Sequence, residues 1–294
     1  MSANPHIRAF FDESTHTISY LVADGVSKRA AIIDPVLDFD PITGRASVHS
    51  ADRMLRAAED GGFTVEWILE THAHADHLSA APYLRNRTGA KVGIGEHIRE
   101  VQSVFRPVFN LDETSLDGSG FDHLFTDGET FRIGTLEVEV LYTPGHTPAC
   151  VSYRVGDNVF VGDTLFMPDY GTARTDFPGG SAQALYRSIQ RILSLPAKTR
   201  LYMCHDYKAP GREVYAWETT VAEQRAHNVH VRDGIGESEF IELRRRRDAG
   251  LAPPVLLLPS IQVNIRGGKL PLAESNGVRY LKIPVSLEIP AVAR

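Results

Sequence analysis

Three imidazoles and a carboxylate fall within six residues at His72, His74, Asp76 and His77, directly after the apolar run Val65 to Leu69. In extended chain, side chains repeat every two residues, so His72 and His74 point the same way. Asp76 and His77 lie beyond the bend, where they can face a second position. Imidazole and carboxylate together suit Zn, Fe or Mn, and no thiolate stands among them. One histidine alone in a polar loop reads as a surface residue; this cluster does not. Three further donors recur, each just past a predicted strand: His146 in Thr143-Pro-Gly-His-Thr-Pro148, Asp163 after Phe160-Val-Gly, and His205 after Met203-Cys204. Loops at strand ends are where a scaffold gathers a site. The seven residues predict a metal centre, and their spacing leaves open whether it holds one ion or two.

The elements that would position them are short and regularly punctuated. Thr17 to Ala23, Arg29 to Ile33, Val65 to Leu69 and Lys91 to Ile94 read as strands of a first group. Ala51 to Asp60, with Ser50 as cap and Gly61-Gly62 as stop, and Ala80 to Arg87 read as its helices. In a second group, Thr135 to Tyr142 alternates, and Cys150 to Val155 turns at Gly156-Asp157 into Asn158 to Val161. Ser181 to Leu195 is a capped amphipathic helix, and Arg200 to Cys204 a strand. Helical patterns return at Thr219 to Val229 and Ser238 to Arg247. Two such groups predict an α/β chain with a four-layer αβ/βα packing. Residues 1–251 form its main domain, and residues 252–294 a C-terminal extension packed on that domain or at an oligomer interface.

Composition bounds the rest. With 43% apolar and 23% charged residues the chain can bury a sizeable core, and a net charge of −6 speaks against a general nucleic-acid binder. Two cysteines, Cys150 and Cys204, cannot make a disulfide framework. Met1 to Phe11 has no basic stretch leading into an apolar one, and no run is long enough to span a bilayer. A soluble cytoplasmic protein, with no membrane or nucleic-acid partner, is the expectation.

The order His-x-His-x-Asp-His, then His, Asp and His, resembles the metallo-β-lactamase superfamily over about residues 15–230. Ile33-Asp34-Pro-Val36, Gly171-Thr-Ala-Arg-Thr-Asp-Phe177 and Cys204-His-Asp-Tyr207 narrow the resemblance to its persulfide dioxygenase branch. That resemblance implies an iron enzyme that oxidises glutathione persulfide with O2 to sulfite and glutathione. It implies one Fe(II) per chain held by His72, His146 and Asp163, a face that leaves positions open for substrate and O2. His74, Asp76, His77 and His205 would then orient the ligands or stand at a second-metal position.

The resemblance also places Arg174 and Tyr207 at substrate-contacting positions, although Arg174 could equally pair with a nearby aspartate and Tyr207 could be packing. A second family arginine falls here on His230, a family cysteine is replaced by Ala173, and Asn264 and Arg266 resemble a segment near the substrate. His230 and Arg266 are therefore carried as substrate-site candidates. Residues 98–125, with four phenylalanines, form an insertion that walls the pocket, makes an oligomer contact or packs as a surface loop. The run Arg244 to Arg247 reads as a solvated helix face, and Cys204 as a small buried filler. A homo-oligomer, dimer or higher, is expected. Two other functions stay in view: a binuclear thioester hydrolase of the glyoxalase II type, and a non-catalytic persulfide or metal sensor.

Overall fold

The computed structural model describes residues 4–111 and 116–286. Strands β1 (His6–Asp12), β2 (Thr17–Asp24) and β3 (Arg29–Ile33) open the chain, followed by a hairpin of β4 (Val36–Asp40) and β5 (Arg45–Ser47). Helix α1 (His49–Asp60), β6 (Thr64–Leu69), β7 (Leu78–Ser79), α2 (Ala81–Thr88), β8 (Lys91–Gly95), α3 (Ile98–Phe109) and β9 (His123–Phe125) complete the first half. The second half runs β10 (Thr130–Ile133), β11 (Leu136–Tyr142), β12 (Val151–Val155), β13 (Asn158–Phe160), α4 (Ala182–Leu193), β14 (Arg200–Tyr202) and β15 (Glu218–Thr220). Helices α5 (Val221–His227), α6 (Glu237–Asp248) and α7 (Leu257–Asn264) follow.

Two six-stranded sheets result, β1-β2-β3-β6-β8-β9 and β10-β11-β12-β13-β14-β15, with β5-β4-β7 as a small third. Period-two alternation decides what each face covers. On β2, Ile18, Tyr20 and Val22 enter the core between the sheets, while Leu21 and Ala23 face the helices. On β11, Val138 and Val140 face inward and Leu141 outward, toward Leu185 and Ile189 of α4. This is the expected αβ/βα sandwich. No helix among the described residues is long and apolar enough to cross a membrane.

Several local expectations change. Helix α1 begins at His49, so Ser50 lies inside its first turn; Asp38 accepts from the Ser50 amide at 3.0 Å and its hydroxyl at 2.7 Å. A side chain from the β4 hairpin thus does the work expected of a Ser50 cap. The insertion, whose residues 112–115 lie outside the described ones, is no surface loop. Its α3 buries Ile98, Val101, Gln102, Phe105 and Phe109 in the first core, and the Phe105 ring lies 5.3 Å from that of Phe177. The Arg244–Arg247 run is not wholly solvated either, since Arg244 is 2% exposed and paired with Asp248. Beyond residue 251, α7 puts Ile261 and Ile265 into the first core.

Candidate metal centre and its cavity

The four donor loops leave the same edge of the sandwich. Parallel β3 and β6 bring Asp34 beside Thr71, while β11, β13 and β14 end just before His146, Asp163 and His205. Gly145, at φ 140°, lets the His146 loop pass the α4 backbone; a Cβ there would lie 2.3 Å from Leu185 Cα.

His72, His146 and Asp163 present one ligand atom each, all mutually within 4.8 Å. Asp163 Oδ2 stands 3.6 Å from His146 Nε2 and 3.9 Å from His72 Nε2, and its Oδ1 3.4 Å from His205 Nε2. His205 Nε2 also meets Asp76 Oδ2 at 3.1 Å. His74, Asp76 and His77 form a second close triplet. The structure therefore brings all seven sequence-identified donors to one place.

Backbone partners fix the rings. His146 Nδ1 donates to the Arg174 carbonyl at 2.8 Å and His77 Nδ1 to the Leu78 carbonyl at 3.1 Å, which leaves each Nε2 as the donor to a metal. His74 is held the other way round, its Nε2 bonding Asp34 Oδ1 at 3.0 Å. Asp34 also accepts from the Thr71 amide at 2.7 Å and hydroxyl at 2.9 Å. Burial opposes ionisation of Asp34, yet His74 and the Thr71 donors outweigh it and hold the carboxyl below its usual range. Burial likewise opposes a charge on His74, but Asp34 pushes it up to about 9. Burial, with His74 beside it, takes His77 down to about 3.

Among the described residues, five buried atoms of these donors make no hydrogen bond, His74 Nδ1, His77 Nε2, His205 Nε2, Asp76 Oδ2 and Asp163 Oδ1, although His205 Nε2 and Asp76 Oδ2 stand at ion-pair distance. Leaving such atoms unmatched costs about 1–3 kcal/mol each, a cost that cation binding removes. The donor set fits a metal, and the unmatched atoms cover the second position as well as the first.

Two residues behind the centre, Glu70 and His16, carry signals too weak to assign from sequence, and a third, Asn264, expected near the substrate, supports the donor loop instead. Glu70 is a lone carboxylate between an apolar strand and the cluster; it accepts from the Ser79 hydroxyl, and burial pushes it up to about 8. From α7, Asn264 Nδ2 donates to the His74 and His77 carbonyls at 2.8 and 2.7 Å, and its Oδ1 accepts from the Ser79 amide at 2.8 Å. His16, in left-handed backbone at φ 56°, gives its carbonyl to His205 Nδ1 at 3.3 Å. Only the long-range approach of the β1–β2 turn reveals that contact.

A cavity of about 570 Å³ opens onto Asp76, His146 and Asp163. Ala75, Phe166, Tyr170, Ala173 and Leu251 supply much of its wall, and Arg174 and Tyr207 also line it. The Arg174 guanidinium is largely committed: it meets both Asp176 oxygens at 2.6 Å and the Ala252 carbonyl at 2.7 Å. His230 and Arg266 do not line this cavity. His230 is 2% exposed beneath the Gly171-Thr172 backbone, where its Nδ1 accepts from the Thr172 amide at 3.0 Å. Gly171 permits that approach, since a Cβ there would lie 2.2 Å from the ring. Burial, then Arg244, takes His230 down to about 3, so it serves as a neutral acceptor in place of a substrate contact. Arg266 lies along the Gly120 backbone.

An αβ/βα sandwich with imidazole and carboxylate donors at one edge defines a metal-dependent enzyme. The sequence pattern of the Metallo-beta-lactamase superfamily matches residues 16–205, and the chain belongs to that superfamily. It is 53% identical over 290 residues to a probable metallo-hydrolase of Burkholderia pseudomallei, covering 95% of this chain and 98% of that one. Glyoxylase B2 of Dictyostelium discoideum is 50% identical, at 97% and 99% coverage. Human mitochondrial persulfide dioxygenase ETHE1 is 29% identical, at 89% and 88%. Among solved structures, ETHE1 from Myxococcus xanthus superposes with a TM-score of 0.72 at 32% identity, covering 90% of this chain and 100% of that one.

Proposed function

We propose that the protein is a persulfide dioxygenase, in which glutathione persulfide, O2 and water give sulfite and glutathione. The observation that carries this is a two-histidine, one-carboxylate triad, His72, His146 and Asp163, of which His146 and Asp163 line a largely apolar cavity. One Fe(II) held there would supply open positions at which a sulfur substrate and O2 meet. The likeness to ETHE1 over the whole length of the Myxococcus chain supports the same reading.

The chain's own residues have separable tasks. The Arg174 carbonyl orients His146, Asp34 orients His74, and Asn264 holds the backbone between His74 and His77. Phe166, Tyr170 and Tyr207 wall the cavity that Asp163 lines. Apolar walls suit O2 and the polarizable sulfur chain of a persulfide.

One observation favours a second reading, a binuclear hydrolase acting on a glutathione thioester. The unmatched atoms of His77, Asp76 and His205 would serve a second ion, and the relatives at 50–53% identity carry hydrolase and glyoxylase names. A non-catalytic sensor has no such support, because Asp76, His146 and Asp163 of the complete donor set line a cavity large enough for a substrate. Iron-loaded protein given glutathione persulfide should consume O2 and release sulfite in equal amounts. Hydrolysis of a glutathione thioester with no O2 uptake would replace the first reading with the second.

A further inference from the structure

Three arginines line the cavity, Arg174 and, from α6, Arg244 and Arg247. Two are neutralised by carboxylates that do not themselves line it, Asp176 for Arg174 and Asp248 for Arg244. Arg244 also donates to the Thr172 carbonyl at 3.1 Å. Arg247 differs from both. It is exposed, stands one helical turn after Arg244 on the cavity side, and has no side-chain ion pair or hydrogen bond among the described residues. Its neighbour Arg246 instead pairs with Glu242, as expected of an outward helix face.

The cavity is therefore polarised. Its carboxylates, Asp76 and Asp163, stand among the histidines at the metal end, while the cations gather where α6 meets Leu251 and Ala252. The wall is apolar and aromatic. Asp163 and Arg247 line the same cavity of about 570 Å³, so one occupant can meet both.

We propose that Arg247 is the anchor for a carboxylate of the substrate, and that Arg174 is a strut holding the 251–252 segment. This rests on the reading of the site as one for a thiol-peptide substrate and names the group that selects it. A guanidinium with a free fork matches a carboxylate through two parallel hydrogen bonds, and Arg174 has already committed its fork to Asp176. The cation that the resemblance expects where His230 stands is thus supplied from α6.

The test uses the iron-loaded full chain with two persulfides, that of glutathione and that of 2-mercaptoethanol, which has no carboxylate. Arg247→Gln should raise KM for glutathione persulfide about tenfold, at least five times more than for the carboxylate-free substrate, and Arg247→Lys should recover part of it. The salt dependence of KM should weaken in the glutamine variant. Equal effects on both substrates, or none, overturn the assignment. Binding of glutathione, by calorimetry on the same proteins, separates the two layers of the argument. If the wild type oxidises neither persulfide, the dioxygenase reading fails. A tenfold weaker binding of glutathione by Arg247→Gln would then still uphold the anchor, and unchanged binding would remove it.

Discussion

The two ends of the cavity are built by opposite means. At the metal end, the donors follow strands of the two large sheets, and backbone carbonyls or a buried carboxylate fix the rings of His146, His77 and His74. At the arginine end, the wall comes from the 172–174 loop and from helix and coil between residues 244 and 256, and charge is partly cancelled by carboxylates just behind it. The first end is closely braced by hydrogen bonds; the second, on the proposal above, selects the substrate. Activity should therefore fail completely at one end and change in selectivity at the other.

The largest effect belongs to the donors. His72→Ala or Asp163→Ala should lose bound metal and all measurable turnover while remaining folded by circular dichroism. Full activity in either variant would remove the site assignment. Next comes Asn264→Ala, which strips three hydrogen bonds from the loop of His74 and His77 although Asn264 sits in the C-terminal segment. Removing such outer support typically weakens metal affinity about 10–100-fold. Unchanged affinity in a competition titration would mean that the C-terminal segment belongs to the substrate end alone.

Arg174→Ala sharpens the boundary between the ends. As a strut it should lower kcat as well as raise KM, about tenfold in kcat/KM, and Arg174→Lys should not rescue it because an ammonium cannot make the paired bonds to Asp176. A pure KM effect rescued by lysine would return the carboxylate to Arg174. The smallest expected effect is on the metal-free chain. His74, raised from 6.5 to about 9, and Glu70, raised from 4.5 to about 8, both bind protons more tightly folded than unfolded. The folded state therefore holds more protons above pH about 6.5, and stability should fall as pH rises from there to about 9. Thermal melts of metal-free protein that rise over this window would contradict the Asp34–His74–Glu70 network.

Why was one end legible and the other not? His72, His74, Asp76 and His77 are adjacent in sequence, and His146, Asp163 and His205 each follow a readable strand, so local pattern alone gathered them. The sandwich followed from the same alternation. Glu70 and His16 act through contacts that are long-range or set by burial, and nothing in their own neighbourhoods announces them; Asn264 was placed by resemblance near the substrate, while its bonds go to the His74–Ser79 backbone. The arginine run was the clearest misreading. Four consecutive cations look solvated, but on α6 they fan around the axis, so Arg244 is buried against Thr172 while Arg247 reaches the cavity. Position-by-position resemblance likewise could not say that His230 lies under the backbone and that cations reach the cavity from elsewhere.

The central claim is that one ion at His72, His146 and Asp163 supports O2 chemistry, although the remaining donors could hold another. Metal-free protein titrated with Fe(II) under anaerobic conditions, then mixed with glutathione persulfide and O2, tests this directly. The account expects O2 uptake to rise linearly and saturate at one Fe(II) per chain, with sulfite released in step. Saturation only at two ions per chain, or no O2 uptake at any loading, would contradict it.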